Sequence, residues 1–107
     1  MTQRVFFLNT LREGVAPADY EHWIQTVDYP IARKQAAINS YVVTRLKGHL
    51  SGDGSTLPCQ YLEVLEITDL DEYRAIADTS PEFRRLMEDF SGFVGSTIAV
   101  YGDVVEG

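Results

Sequence analysis

Apolar and polar positions change their spacing several times along the chain, and each change marks an element. "RVFFLN" (4–9) is rich in Val and Phe and predicts a strand, closed by the turn "REGV". Tyr20, Trp23, Ile24, Val27 and Ile31 then follow the i, i+3, i+4, i+7, i+11 spacing of one helical face. Pro17 suits a first helical position and Asp19 puts negative charge in the first turn. Pro30 disfavours helical angles at Tyr29, which predicts a break or kink there. "SYVVTRLK" (40–47) and "QYLEVLEI" (60–67) read as strands joined by the glycine-containing loop "GHLSGDGSTLP". "DLDEY" (69–73) opens another helix, with Asp69 as N-cap and Glu72 completing a capping box. "SPEF" (80–83) starts a further helical segment at Ser80 and Pro81. "GFVGSTIAVYGDVVE" closes the chain as a last strand.

The order is β-α-β-β-α-β with the second helix split. This is the α+β, ferredoxin-like pattern, a four-stranded antiparallel sheet with helices on one face, here a single domain over residues 1–107. The strands are apolar on both faces: Leu62 and Val64 alternate with Leu65 and Ile67. A half-solvated antiparallel sheet alternates apolar with polar residues. The second face therefore needs cover, and two sheets packed face to face supply it, so a homodimer is expected.

Composition narrows the partners. A chain with 45% hydrophobic and 23% charged residues is ordinary globular material. The net charge of -7 argues against nucleic acid and against an anionic membrane surface. No apolar run approaches the ~20 residues of a membrane span. Cys59 is the only cysteine, which excludes an intrachain disulfide, and the apolar stretch at the amino terminus is too short for a signal peptide, so a cytoplasmic protein is expected. The "GHLSGDGS" glycines lack the lysine and following helix of a phosphate loop. His22 and His49 lie far apart with no metal-ligand spacing around them, so neither cofactor nor metal is expected.

Acid–base candidates remain. His22, Thr26, Tyr29 and Arg33 flank the apolar helical stripe, where a cleft meets solvent. The imidazole of His22 suits proton transfer near neutral pH; a solvent-exposed histidine paired with Asp19 or Glu21 is the simpler account. Glu63 sits mid-strand among apolar neighbours. With a hairpin turning near Asp53-Gly54 it falls opposite Arg45 as an ion pair, and otherwise it is a cavity carboxylate with a raised pKa. Asn9 either orients a substrate carbonyl or forms a strand-end turn. Tyr20, Trp23 and Tyr29, with Tyr41, Tyr61 and Tyr101 from the strands, are more polar-tipped aromatics than a small core needs. They read as core and, in part, as the wall of a site for a flat heteroaromatic ring.

The segment "YEHWIQTVDYPIARKQAAINSYVV" is similar to EthD-like and antibiotic-monooxygenase-like members of the dimeric α+β barrel superfamily. "FFLNTLREGVAPADYEHWIQTVDYP", "YLEVLEITDLDEY" and "SPEFRRLM" more closely resemble the RedY-like (HapK-like) proteins of prodiginine gene clusters. The resemblance implies a cofactor-independent role in building a pyrrole-containing metabolite. His22 and Glu63 would then be acid and base, Asn9, Asp28 and Arg45 would place the substrate, and Tyr20, Trp23, Tyr29 and Tyr61 would wall the site. Asp28 stands where the EthD-like pattern has the histidine of His-x-Pro-Leu, which weighs against cofactor-free oxygenation. A binding or carrier dimer without chemistry is the rival reading.

Overall fold

The computed structural model describes residues 1–107. Strand β1 (Gln3–Leu11) leads to helix α1 (Pro17–Trp23), a π-helical turn (Ile24–Asp28) and helix α2 (Tyr29–Arg33). Strands β2 (Ile38–Arg45) and β3 (Tyr61–Ile67) follow, then helices α3 (Leu70–Thr79) and α4 (Pro81–Phe93) and strand β4 (Val94–Asp103). The four strands form one antiparallel sheet in the order β2-β3-β1-β4, with the helices on one face. This is the ferredoxin-like arrangement, and the expected split of the second helix is present.

Local chemistry explains the helix ends. Asp69 accepts a hydrogen bond from the Glu72 backbone N–H at 3.0 Å, while the Glu72 carboxylate accepts from the Thr68 hydroxyl and leaves the expected box one-sided. Ser80 ends α3 by donating its N–H to the Ile76 carbonyl at 2.9 Å, and its Oγ accepts from the Phe83 N–H at 3.1 Å to start α4.

The first helix departs from expectation. Tyr29 keeps helical angles (φ -57°, ψ -50°), and the chain continues through Pro30 to Arg33 without breaking. Pro30 has no N–H to give to the preceding turn. The helix meets this by widening: the Tyr29 N–H reaches back five residues to the Ile24 carbonyl. The wider turn rotates the following residues, so Asp28 and Ala32 are buried while Val27 and Ile31 are only partly so.

The core lies between helices and sheet. β3 presents Tyr61, Glu63, Leu65 and Ile67 inward, all buried, and Leu62, Val64 and Glu66 outward. Val43 lies opposite Glu63, and Arg45 lies opposite Tyr61, so the expected Arg45–Glu63 pair does not form. The outer face carries Phe6, Leu8, Val42, Leu62, Val64, Ile98 and Val100 in facing register. Val42, Ile98 and Val100 are 52%, 61% and 49% exposed, so an apolar sheet face stands without cover in the single chain.

Ser80 serves both helices that roof the core. Ser80→Ala is expected to lower stability by about 1 kcal/mol, read as a shifted urea midpoint with an unchanged slope.

Candidate functional site

The π-helical turn and the middle of β3 aim two carboxyl groups at one point in the core. Asp28 and Glu63 are 3% and 5% exposed. The Tyr41 hydroxyl, from β2, lies between them, 2.5 Å from Asp28 Oδ2 and in hydrogen-bond contact with Glu63 Oε1. On its other side, Glu63 Oε2 accepts from Asn9 Nδ2 at 2.6 Å. The Asn9 amide is oriented by Thr97 of β4, whose hydroxyl donates to Asn9 Oδ1 at 2.6 Å. Asn9 is fully buried in β1, so it is no strand-end turn former.

The hydrogen-bond geometry dictates a proton count. A phenol has one proton to donate. Tyr41 donates to one carboxylate and must accept from the other, which therefore carries a proton of its own. Burial drives the same result: it pushes Asp28 up to about 7, with the nearby Glu63 charge adding to the shift and the Tyr41 hydrogen bond and the Arg33 charge opposing it. Burial raises Glu63 too, against the hydrogen bonds from Tyr41 and Asn9. Two carboxyls this close titrate as a unit, and near neutral pH the unit holds one acidic proton and one negative charge.

These acids form part of the wall of a cleft of about 440 Å³, counting its open mouth. Its other walls are Phe7, Trp23, Ala32, Leu65, Tyr73, Phe83, Leu86, Met87 and Phe90, so polar atoms are few and concentrated at the acid pair. The Trp23 indole N–H is held by Asp89 Oδ2 at 3.3 Å, which fixes the ring as a cleft wall. Burial raises the Tyr73 pKa above the normal phenol value, and the charges of Glu63 and Asp28 add to the effect.

The expected residues divide into three groups. Glu63, Asp28 and Trp23 meet at the cleft, and Asn9 supports Glu63 from behind. Tyr20 is wholly buried beneath the site; its ring stacks near Trp23 at 6.0 Å between centroids and meets Tyr61 edge-on at 4.9 Å. Tyr29, Arg45 and Tyr61 line a different groove, of about 350 Å³, at the β2 side. There Arg45 pairs with Glu21 at 3.0 Å, the Tyr61 hydroxyl donates to Glu21 at 2.7 Å, and the Tyr29 hydroxyl accepts from the Val43 N–H at 2.8 Å.

His22 is exposed on the solvent side of α1 and is not among the cleft residues. Of the flank predicted to border a cleft, His22, Thr26 and Arg33 are exposed and Tyr29 lines the second groove, while Asp28, named as a substrate contact, lies beside Glu63 at the first. Tyr101 is 54% exposed on β4 and lines neither groove. Tyr73 and the apolar wall of α4 were not foreseen as site residues. Only the aromatic count pointed toward them.

Comparison with known proteins places this geometry. The model of the family described as "REDY-like protein HapK" matches residues 3–105. The chain belongs to that family. Among solved structures, HapK from Hahella chejuensis shares 28% identity over 98% of this chain and 95% of its own, with a TM-score of 0.73. An EthD-family protein from Bacillus halodurans shares 16% identity over 98% and 100% of the two chains, with a TM-score of 0.75. A dimeric ferredoxin-like protein from Thermobifida fusca shares 19% identity over 97% and 92%, with a TM-score of 0.73. No functionally curated protein matches the chain. No helix is long and apolar enough to cross a membrane.

The buried acids make stability depend on pH with a definite sign. Asp28 ionises in the unfolded chain near its ordinary 3.8 but in the fold only at about 7. The folded state holds the extra proton between these values, so stability is full below pH 4 and falls as pH rises to 7. At ~1.4 kcal/mol per unit, the loss assigned to Asp28 is about 4 kcal/mol. In urea titrations across this range, Asp28→Asn is expected to flatten the decline; an equal slope in the variant would refute the assignment.

Proposed function

We propose that this HapK-family protein is a cofactor-independent biosynthetic protein of a prodiginine-type pathway. It holds a pyrrole or bipyrrole intermediate in the aromatic cleft and moves protons on it during cyclisation, dehydration or tautomerisation. The observation that carries this reading is the Tyr41 hydroxyl set between Asp28 and Glu63 at an otherwise apolar cleft. One carboxylic acid and one carboxylate stand side by side near neutral pH, as general acid and general base chemistry requires. Tyr41 links them, so the proton that the acid gives to the ligand is restored, through the phenol, by the proton that the carboxylate takes from the ligand. Asp28 takes the acid–base role that the sequence offered to His22.

The test is a mass-spectrometric assay with bipyrrole pathway intermediates, in air and with no cofactor added. A new product mass is expected. Asp28→Asn and Glu63→Gln should each lower turnover by about 10²-fold or more, while His22→Ala leaves it unchanged. Saturable binding without product would favour the carrier reading. Turnover that stops when oxygen is removed would favour the oxygenase.

We also propose that the protein works as a homodimer in the cytoplasm, the uncovered apolar face of its sheet packed on that of a second copy. In-register Phe6, Val42, Val64 and Val100 across four strands are the support for this partner. Light scattering at micromolar concentration should give twice the chain mass, and the double variant Val42→Asp, Val100→Asp should give a monomer or fail to fold. A monomeric parent protein would overturn the proposal.

A further inference from the structure

We infer that the cleft takes its ligand as a planar cation, a protonated nitrogen heterocycle or amidine-like group. Its N–H groups would lie on Asp28 and Glu63 and its ring against Trp23 and the phenylalanines. The inference deepens the reading above and rests on the cleft being the ligand site.

Charge is the first argument. None of the twelve residues lining the cleft is Lys, Arg or His, and its ionisable groups are Asp28, Glu63, Tyr41 and Tyr73. Arg33 is the cation that acts on Asp28, and it does so from outside. Its guanidinium lies 3.8 Å over the Tyr29 ring and donates to the Tyr41 carbonyl at 2.8 Å, so it is engaged elsewhere. The negative charge of the acid pair is left without a counter-ion inside the cleft, an arrangement that is costly until a cation arrives. An anionic ligand, whether carboxylate or phosphate ester, would meet two acids and no partner.

Hydrogen-bond capacity gives the second argument. The one side-chain bond to Asp28 engages Oδ2, which leaves Oδ1 for the cleft. Oxygen acceptors dominate the polar wall: the Trp23 N–H is taken by Asp89, and the Tyr73 hydroxyl is the donor left. A complementary ligand must bring donors, and planar N–H groups match carboxyl oxygens best. The third argument is the aromatic wall. Trp23, Phe7, Phe83 and Phe90 offer ring faces and edges that attract a delocalised cation more than a neutral ring of the same shape.

The pair meets a cation with its one negative charge and keeps the shared proton that its contacts with Tyr41 require. The groups facing the pair are Tyr20 of α1, Arg33 of α2, Tyr41 of β2 and Tyr73 of α3. α4 contributes only Phe83, Leu86, Met87 and Phe90 to the cleft, and β1 only Phe7. The three tyrosines stay neutral near pH 7, since burial raises each of them, and Arg33 stays charged. The negative charge that a ligand cation meets is therefore that of the Asp28–Glu63 pair.

Three probes of one shape isolate the charge: benzamidinium, benzamide and benzoate. Trp23 is the only tryptophan and lines the cleft, so its fluorescence reports binding. Calorimetry near neutral pH in two buffers of different ionisation enthalpy counts protons. Benzamidinium is expected to bind about tenfold or more tightly than benzamide with no net proton released, while benzoate does not bind. Asp28→Asn should weaken benzamidinium by about tenfold and benzamide by much less, with Glu63→Gln as the second variant should the first unfold. Equal or tighter binding of benzamide or benzoate, or full benzamidinium affinity in both variants, overturns the charge inference and leaves the aromatic cleft standing. Binding of none of the three overturns the inference and the ligand-site reading together.

Discussion

Two carboxyl groups and a phenol share protons in a place that water barely reaches, and much of the molecule is arranged around that contact. Asp28 and Glu63 are each nearly fully buried, and neither has a basic side chain bonded to it. Such a pair persists only if one member stays protonated and if every oxygen facing the protein is bonded. Tyr41 meets both acids, Asn9 caps Glu63, and Thr97 orients Asn9, so three strands besides β3 supply partners. No fully buried side-chain polar atom is left without a bond. The acids are thus held in a single arrangement, with their free capacity turned to the cleft.

The distorted first helix follows from the same requirement. A regular helix through Tyr20–Ile31 would bury Val27 and leave Asp28 at the edge of the apolar stripe. Pro30 removes one backbone donor, the turn before it widens, and Asp28 rotates inward. A backbone irregularity produced by one proline delivers the carboxyl to Tyr41. Two faces of the sheet then have separate tasks. The inner face, under the helices, carries the acids and the aromatic wall; the outer face is apolar and in register, the support for the homodimer proposed above.

Much of the fold was legible in the chain because local patterns and global packing agree. The strand alternation of "QYLEVLEI", the caps at Asp69 and Ser80, and the apolar outer face at Leu62 and Val64 were each visible in short stretches and each appears in the structure. The site was only half legible. Glu63 stood out because a lone carboxylate in an apolar strand demands an explanation. Asn9, Asp28 and Trp23 were named as contacts. His22 was named for the ordinary chemistry of an imidazole, a property of the isolated residue, and the structure places it in solvent away from the cleft.

By itself, the sequence determined the α+β order of elements, the split second helix and the two-faced apolar sheet, because these depend on periodicity, capping and spacing within windows of a few residues. Only the tertiary structure decided which acids meet. The pairing of Val43 with Glu63 rather than Arg45 with Glu63 is a matter of two residues in register, set by how the long β2–β3 connection closes. The inward turn of Asp28 is a matter of one helical irregularity. Both decide what surrounds a carboxyl, and burial and neighbouring charge, rather than residue type, decide when that carboxyl holds a proton.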